Sequence, residues 1–190
     1  MSNKEIFIFS APSGAGKTTL VKAAIQTFPS LKFSISATTR APRGSEVNGK
    51  EYYFVSEEEF RNGIREGRFL EWQEVYPGRF YGTYHSEVDR IRQENGKVVF
   101  DVDVKGGLNL KGIFQDKALA LFVMPPDLET LRKRLEVRAT DSQEDIQTRI
   151  QKAAYEMTFA PRFDATIIND QLAAATQEML EILKPHVSLS

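Results

Sequence analysis

SAPSGAGKTTL, residues Ser10–Leu20, follows the apolar run EIFIF (5–9) and precedes a helical stripe of Leu20, Val21, Ala24, Ile25 and Phe28 that ends at Pro29. A glycine-rich turn between strand and helix can hold a phosphate. It aims several backbone N–H groups at one point, backs them with a helix N-terminus, and adds a lysine and a hydroxyl in fixed order. Gly14, Ala15, Gly16, Lys17 and Thr18 supply that order, and Ala11, Pro12, Ser13 and Thr19 complete the loop. The usual pattern, G-x-x-x-x-G-K-[ST], has Ala11 in its first position here, which is cheap if that residue keeps a negative φ. The expected ligand is a nucleoside triphosphate.

Working outward, KFSIS (32–36) alternates like a second strand, and a polar stretch then leads to a short strand at 52–55. Ser56 and Glu59 form a capping box for a short helix. Two β-like pieces flank the Pro-Gly turn of RFLEWQEVYPGRFYGT, so residues of about 36–85 read as a small β-rich insertion. Ser86 opens a charged helix expected to stop where Gly96 turns left-handed. VVFDVDV (98–104), ALALFVM (118–124) and DATIIN (164–169) are short apolar strands separated by helical segments. That alternation predicts an α/β fold with a parallel sheet covered by helices on both faces. Between the last two strands lie two charged helical patterns with Ser142 as an expected N-cap, an excursion of about 126–159 that reads as able to move. The reading is one domain, with its core at about 1–35, 86–125 and 160–190. A last helix is expected over 170–184.

Composition narrows the function classes. The 25 Lys and Arg nearly balance the 26 Asp and Glu, so no overall field draws the chain to nucleic acid or to an anionic membrane. With no cysteine and only His85 and His186, thiolate chemistry and most zinc sites are excluded, and any metal must be held by oxygen. No segment approaches the roughly 18 apolar residues of a membrane span. A cytoplasmic protein without an obligate protein partner is expected.

P-loop proteins differ in what they do with the triphosphate. Asp103-Val104-Lys105-Gly106 spells the D-x-x-G of a signalling GTPase, but the N-K-x-D element that reads guanine is absent. A kinase acting on an alcohol needs a base for the hydroxyl proton. A nucleoside monophosphate kinase does not, because its nucleophile is already a phosphate oxygen. It needs arginines to neutralise two polyanions, and a way to exclude water. Two arginine clusters are present: Arg40 and Arg43 in SATTRAPRG, and Arg134, Arg138 and Arg149 in the later excursion. Guanidinium forks grip phosphate in a bidentate manner that lysine cannot reproduce.

With SAPSGAGKTT, SISATTRAPRGSEVNGKEYYF, FLEW, FYGT and DVDVKG in this order, the chain resembles the guanylate kinases from about Ile6 to Asp170. The resemblance implies a P-loop NTPase-type α/β core with a GMP-binding insertion and a helical lid. It implies ATP and GMP, and also dGMP, as substrates, with Mg²⁺ as cofactor. In that family the residues matching Arg40, Arg43, Tyr52 and Tyr81 grip the monophosphate, and those matching Ser36, Glu71, Thr83 and Asp101 surround the guanine. Guanine offers N1–H and N2–H₂ donors that a carboxylate accepts, whereas adenine offers an acceptor at N1. The lid arginines Arg134, Arg138 and Arg149 are implied to close over the ATP phosphates. Lys17 and both arginine clusters are therefore the candidate catalytic residues. Thr18 is the candidate direct Mg²⁺ ligand, with Asp103 orienting the ion through water, and Asn169 approaches the adenine. A guanylate-kinase-like scaffold that binds a phosphorylated partner, and a kinase for another base or a phosphorylated sugar, are the readings that stand beside this one.

Overall fold

The structure, a computed structural model, describes residues 4–137 and 143–187. The chain runs through β1 (Ile6–Ser10), α1 (Lys17–Thr27), β2 (Leu31–Phe33), β3 (Ala37–Thr38), β4 (Tyr53–Phe54), α2 (Glu57–Arg65), β5 (Phe69–Tyr76), β6 (Arg79–Tyr84) and α3 (His85–Gln93). It continues through β7 (Lys97–Val102), α4 (Val104–Phe114), β8 (Ala118–Met124), α5 (Leu128–Val137), α6 (Gln143–Met157), β9 (Ala165–Ile168) and α7 (Leu172–Leu183). Two compact units result, one of Met1–Leu31 with Val99–Ser190 and the other of Lys32–Val98.

The first unit carries the expected α/β architecture. In the five-stranded sheet the order is β2-β7-β1-β8-β9, and the division between the units falls within β2 and β7. β1 pairs parallel with β8, and β8 with β9. All five residues of β1 are buried, as are six of the seven in β8, so both faces of these strands are covered and the sequence reads as an unbroken apolar run. α4 packs on β1 and β8, while α7 packs on α1 and β9. That close approach of α4 is possible because Gly107 has no side chain: a Cβ there would lie 2.1 Å from Ser10 Oγ. The strand order reverses at β1, whose neighbours β7 and β8 are both later in the chain, and the loop leaving β1 therefore opens at a topological switch point where such sheets bind ligands.

α5 and α6 form their own apolar seam of Leu131, Leu135, Ile146, Ile150 and Ala153. The expected N-cap Ser142 lies outside the described residues.

The second unit holds a four-stranded sheet of order β4-β3-β6-β5, built on Ala37, Phe60, Phe69 and Phe80. Phe60 and Phe69 stack at 4.2 Å between centroids, and Phe69 stacks on Tyr84 at 4.5 Å. The capping box of α2 is present, with Ser56 Oγ accepting from the Glu59 amide.

Three local expectations are corrected. The strand expected over 32–36 stops at Phe33, because the Ile35 amide donates to a side chain, the Glu87 carboxylate, instead of extending a ladder. After α3, Asn95 takes the left-handed turn (φ 54°) and Gly96 does not. Gly96 is needed for space, since a Cβ there would lie 2.5 Å from Lys32 Cγ and 3.0 Å from Ile91 Cγ2. The strand expected to reach residue 104 ends at Val102, and Asp103 caps α4 by accepting from the Gly106 amide at 2.8 Å.

Candidate functional site

In the first unit the glycine loop joins β1 to α1. Gly14 and Gly16 have φ of 95° and 92°, values that suit glycine, whereas Ala11 is not among the non-glycine residues with positive φ and so costs the loop little. Gly16 is the N-cap of α1 and offers no side-chain cap, and no acidic residue occupies the first turn. The N–H groups at this helix end are thus left for an anion. Asn169 is buried beneath the loop and donates from Nδ2 to the Ala15 carbonyl at 2.8 Å. A Cβ on Gly16 would lie 2.3 Å from that nitrogen, so glycine is required there twice over. Asn169 is therefore a support of the loop itself.

Lys17 Nζ forms an ion pair with Asp101 and donates to the Val102 carbonyl at 2.5 Å. Thr18 Oγ1 donates to the other Asp101 oxygen at 3.2 Å. Both residues at the start of α1 are thereby registered against the end of β7. Ser13, Thr18 and Thr19 are exposed, whereas Pro12 and Ala15 are buried. Thr18, Asp101 and Asp103 offer a hydroxyl and two carboxylates, the oxygen donor set that suits a hard divalent cation sharing its coordination with phosphates. Among the described residues, no three His, Cys, Asp or Glu side chains converge on a metal position, as a wholly protein-built cage would require. Arg134, on α5, donates to the Asp170 carbonyl at 3.0 Å, and Arg149 lies half-buried on α6. Arg138 falls outside the described residues.

The second unit holds most of the residues expected to bind the acceptor. The Arg40 guanidinium, with its side chain 8% exposed, lies 4.8 Å from the Tyr52 ring centre and 5.5 Å from that of Phe54. Tyr52 in turn meets Tyr81 edge-on at 6.0 Å. Both terminal nitrogens of Arg40 donate to the two oxygens of Glu46, at 2.6 and 2.7 Å, and the Arg43 amide donates to the same carboxylate at 2.7 Å. This bidentate grip holds the Glu46 carboxyl at about 2 and raises the Arg40 guanidinium above its ordinary value. Farther along the same unit, Glu71 on β5 faces Thr83 on β6, and Thr83 Oγ1 donates to Glu71 Oε1 at 2.9 Å. The Ser36 carbonyl accepts from the Tyr53 amide at 2.9 Å, which ties the start of β3 to β4. Asp101 belongs to the other unit, with its carboxylate engaged by Lys17 and Thr18.

Two residues of this unit escape sequence reasoning. Glu46 sits in a polar loop and reads there as a solvated charge. Glu87, in a charged helix, is only 3% exposed and accepts four hydrogen bonds. Burial alone would raise the Glu87 carboxyl, but Arg90, the Ile35 amide and the Tyr53 hydroxyl outweigh it and hold it below the usual carboxylate range.

The Glu46 pair makes stability depend on acid. Its folded value is depressed, so its contribution is complete above the ordinary 4.5 and is lost as pH falls towards about 2. Glu46→Gln is expected to melt below the parent at pH 7, and the gap should close between those two pH values in parallel melting series. A gap independent of pH would show that the ion pair is not its source.

The family model for guanylate kinase matches residues 3–186. A guanylate kinase of Bacteroides thetaiotaomicron is 51% identical over 95% of this chain and 88% of its own length. One from Salinibacter ruber is 47% identical over 99% and 100%. The crystal structure of a guanylate kinase from Anaplasma phagocytophilum superposes with a TM-score of 0.77 at 26% identity, covering 100% of this chain and 89% of that one. The family match runs unbroken through the glycine loop and the arginine-bearing unit alike, and so the chain belongs to the guanylate kinase family.

Proposed function

We propose that this chain transfers the γ-phosphoryl group of ATP to GMP, and to dGMP, yielding ADP and GDP or dGDP. A phosphate oxygen of the acceptor attacks the γ-phosphorus in line, and the bond to the β–γ bridging oxygen breaks as ADP leaves. The nucleophile is already ionised, and no general base is called for. The N–H groups of the loop and the N-terminus of α1 hold the donor phosphates, and Lys17 exchanges Asp101 for them. Arg134, Arg138 and Arg149 compensate charge on the transferred group and exclude water. Arg40, Arg43, Tyr52 and Tyr81 hold the acceptor phosphate, while Ser36, Glu71 and Thr83 face the guanine and Asp101 adds a second carboxylate. Thr18 would hold Mg²⁺ directly and Asp103 would orient it through water; when bound, the ion draws charge from the donor phosphates.

One observation carries the acceptor reading. The Arg40 fork, over the Tyr52 ring, grips the Glu46 carboxylate in a bidentate manner, as it would grip a phosphate. A coupled assay with MgATP and each of GMP, dGMP, AMP and UMP tests the whole. Turnover with GMP and dGMP is expected, with the other two lower by about 10⁴-fold, as befits a site built on hydrogen bonds to the base. Turnover on none of the four would favour the scaffold reading, and turnover best on AMP or UMP would overturn the base assignment.

A further inference from the structure

We infer that Glu87 is a positioning residue for the acceptor nucleotide, fixing the segment that carries Ser36 against the one that carries Tyr52. The inference rests on the acceptor reading given above. A buried carboxylate is costly unless its lone pairs are used, and here they are used to join three separate pieces of chain. Oε2 accepts from the Ile35 amide at 2.8 Å, and Oε1 from the Tyr53 hydroxyl at 2.9 Å. Arg90, one turn along α3, donates to both oxygens, from Nε at 3.2 Å and from Nη2 at 3.0 Å. Nη2 also donates to the Phe33 carbonyl at 3.2 Å.

The consequence is geometric. Phe33 ends β2 and Ile35 lies in the break before β3, and the residue after Ile35 is Ser36, assigned to the base. Tyr53 follows Tyr52, which underlies the phosphate-directed Arg40, and its amide donates to the Ser36 carbonyl. Glu87 and Arg90 therefore hold the base end and the phosphate end of the acceptor site at one separation, without either side chain being assigned to the nucleotide. A glutamine offers a single acceptor oxygen in place of two and sets an N–H₂ against one of the donors. The segment at 33–36 would then lose its fixed distance from β4.

The test compares the parent with Glu87→Gln and with Tyr53→Phe, which removes one of the four bonds and leaves the carboxylate in place. GMP binding is measured by calorimetry, KM for GMP and for ATP and kcat by the coupled assay, and amide exchange over residues 33–36 by mass spectrometry. Glu87→Gln is expected to raise the GMP constant about tenfold, as the loss of a charge-assisted bond would. The ATP constant and kcat at saturating GMP should stay within about twofold, and exchange at 33–36 should quicken. Tyr53→Phe should give a smaller effect in the same direction. A role confined to stability would lower the melting temperature and leave the KM of the folded enzyme unchanged, and that result overturns the inference. If the parent binds GMP and both variants bind it equally well, this inference alone fails; if the parent itself does not bind GMP, the acceptor reading fails and takes the inference with it.

Discussion

Replacing Lys17 by alanine is expected to lower kcat with MgATP and GMP by about 10²–10³-fold or more, the cost of losing one fixed donor to transition-state charge. The GMP dissociation constant should stay within about threefold, the pattern of a group that acts on the transferred phosphoryl and not on ground-state acceptor binding. Lys17 opens α1, where the helix end has neither a side-chain cap nor an acidic neighbour to compete for an anion. Its ammonium is held by Asp101 and the Val102 carbonyl. A donor phosphate would replace one anion by another at this ammonium. Alanine also strips a largely buried carboxylate of its cation, at a cost of about 1–3 kcal/mol, so the melting temperature should fall. Calorimetry on protein verified as folded separates that loss from the catalytic one. Lys17→Arg should not restore the rate, because a planar fork does not present the point charge of an ammonium. Equal losses in GMP affinity and in kcat would count against separate donor and acceptor roles.

What the sequence makes legible is what neighbouring residues decide among themselves. The apolar runs at 5–9 and 118–124 read as strands because parallel strands buried on both faces need no alternation, and they fold as β1 and β8. The glycine loop is legible because its chemistry depends on the order of consecutive residues. Features settled by distant partners are not. The break after Phe33 is set by Glu87, 52 residues from Ile35, and nothing near Ile35 announces it. Glu87 reads as one more charge on a polar helix, and only the fold shows that it points inward. The bond by which Asn169 supports the loop from below, where Gly16 leaves room for its amide, spans 154 residues and is likewise silent in the sequence. Asp103 is a case where a local signal was present: an aspartate three residues before a helical N–H is a cap. The Ile35 amide and the Gly106 amide are each taken by a carboxylate side chain, a kind of bond that periodicity does not register.

Glu71→Gln is expected to raise the GMP constant by about 10- to 150-fold, corresponding to the 1.5–3 kcal/mol of a hydrogen bond to a charged group, with the ATP constant unchanged. The geometry of the hairpin makes the effect specific. Glu71 and Thr83 are cross-strand partners on β5 and β6, and Thr83 is fully buried, with its hydroxyl donating to one carboxylate oxygen. That hydroxyl decides how the amide of a glutamine must lie. If the amide oxygen stays on Thr83, the N–H₂ confronts the N1–H and N2–H₂ edge of guanine, donor against donor. If the amide turns over, its oxygen meets the base but the Thr83 hydroxyl is left buried without its acceptor. Either arrangement forfeits one strong bond, and the variant cannot relax out of the choice because Gly82, beside Thr83, lets the strands approach closely: a Cβ there would lie 2.9 Å from the Glu71 carbonyl. Thr83→Val should give a smaller rise, since the carboxylate remains and loses only its orientation. The preference for GMP over AMP should shrink in Glu71→Gln, because an amide can present a donor to adenine N1. Calorimetric titrations of parent and variants with GMP, AMP and ATP measure all three expectations, and a GMP constant unmoved by Glu71→Gln would remove this carboxylate from the base pocket.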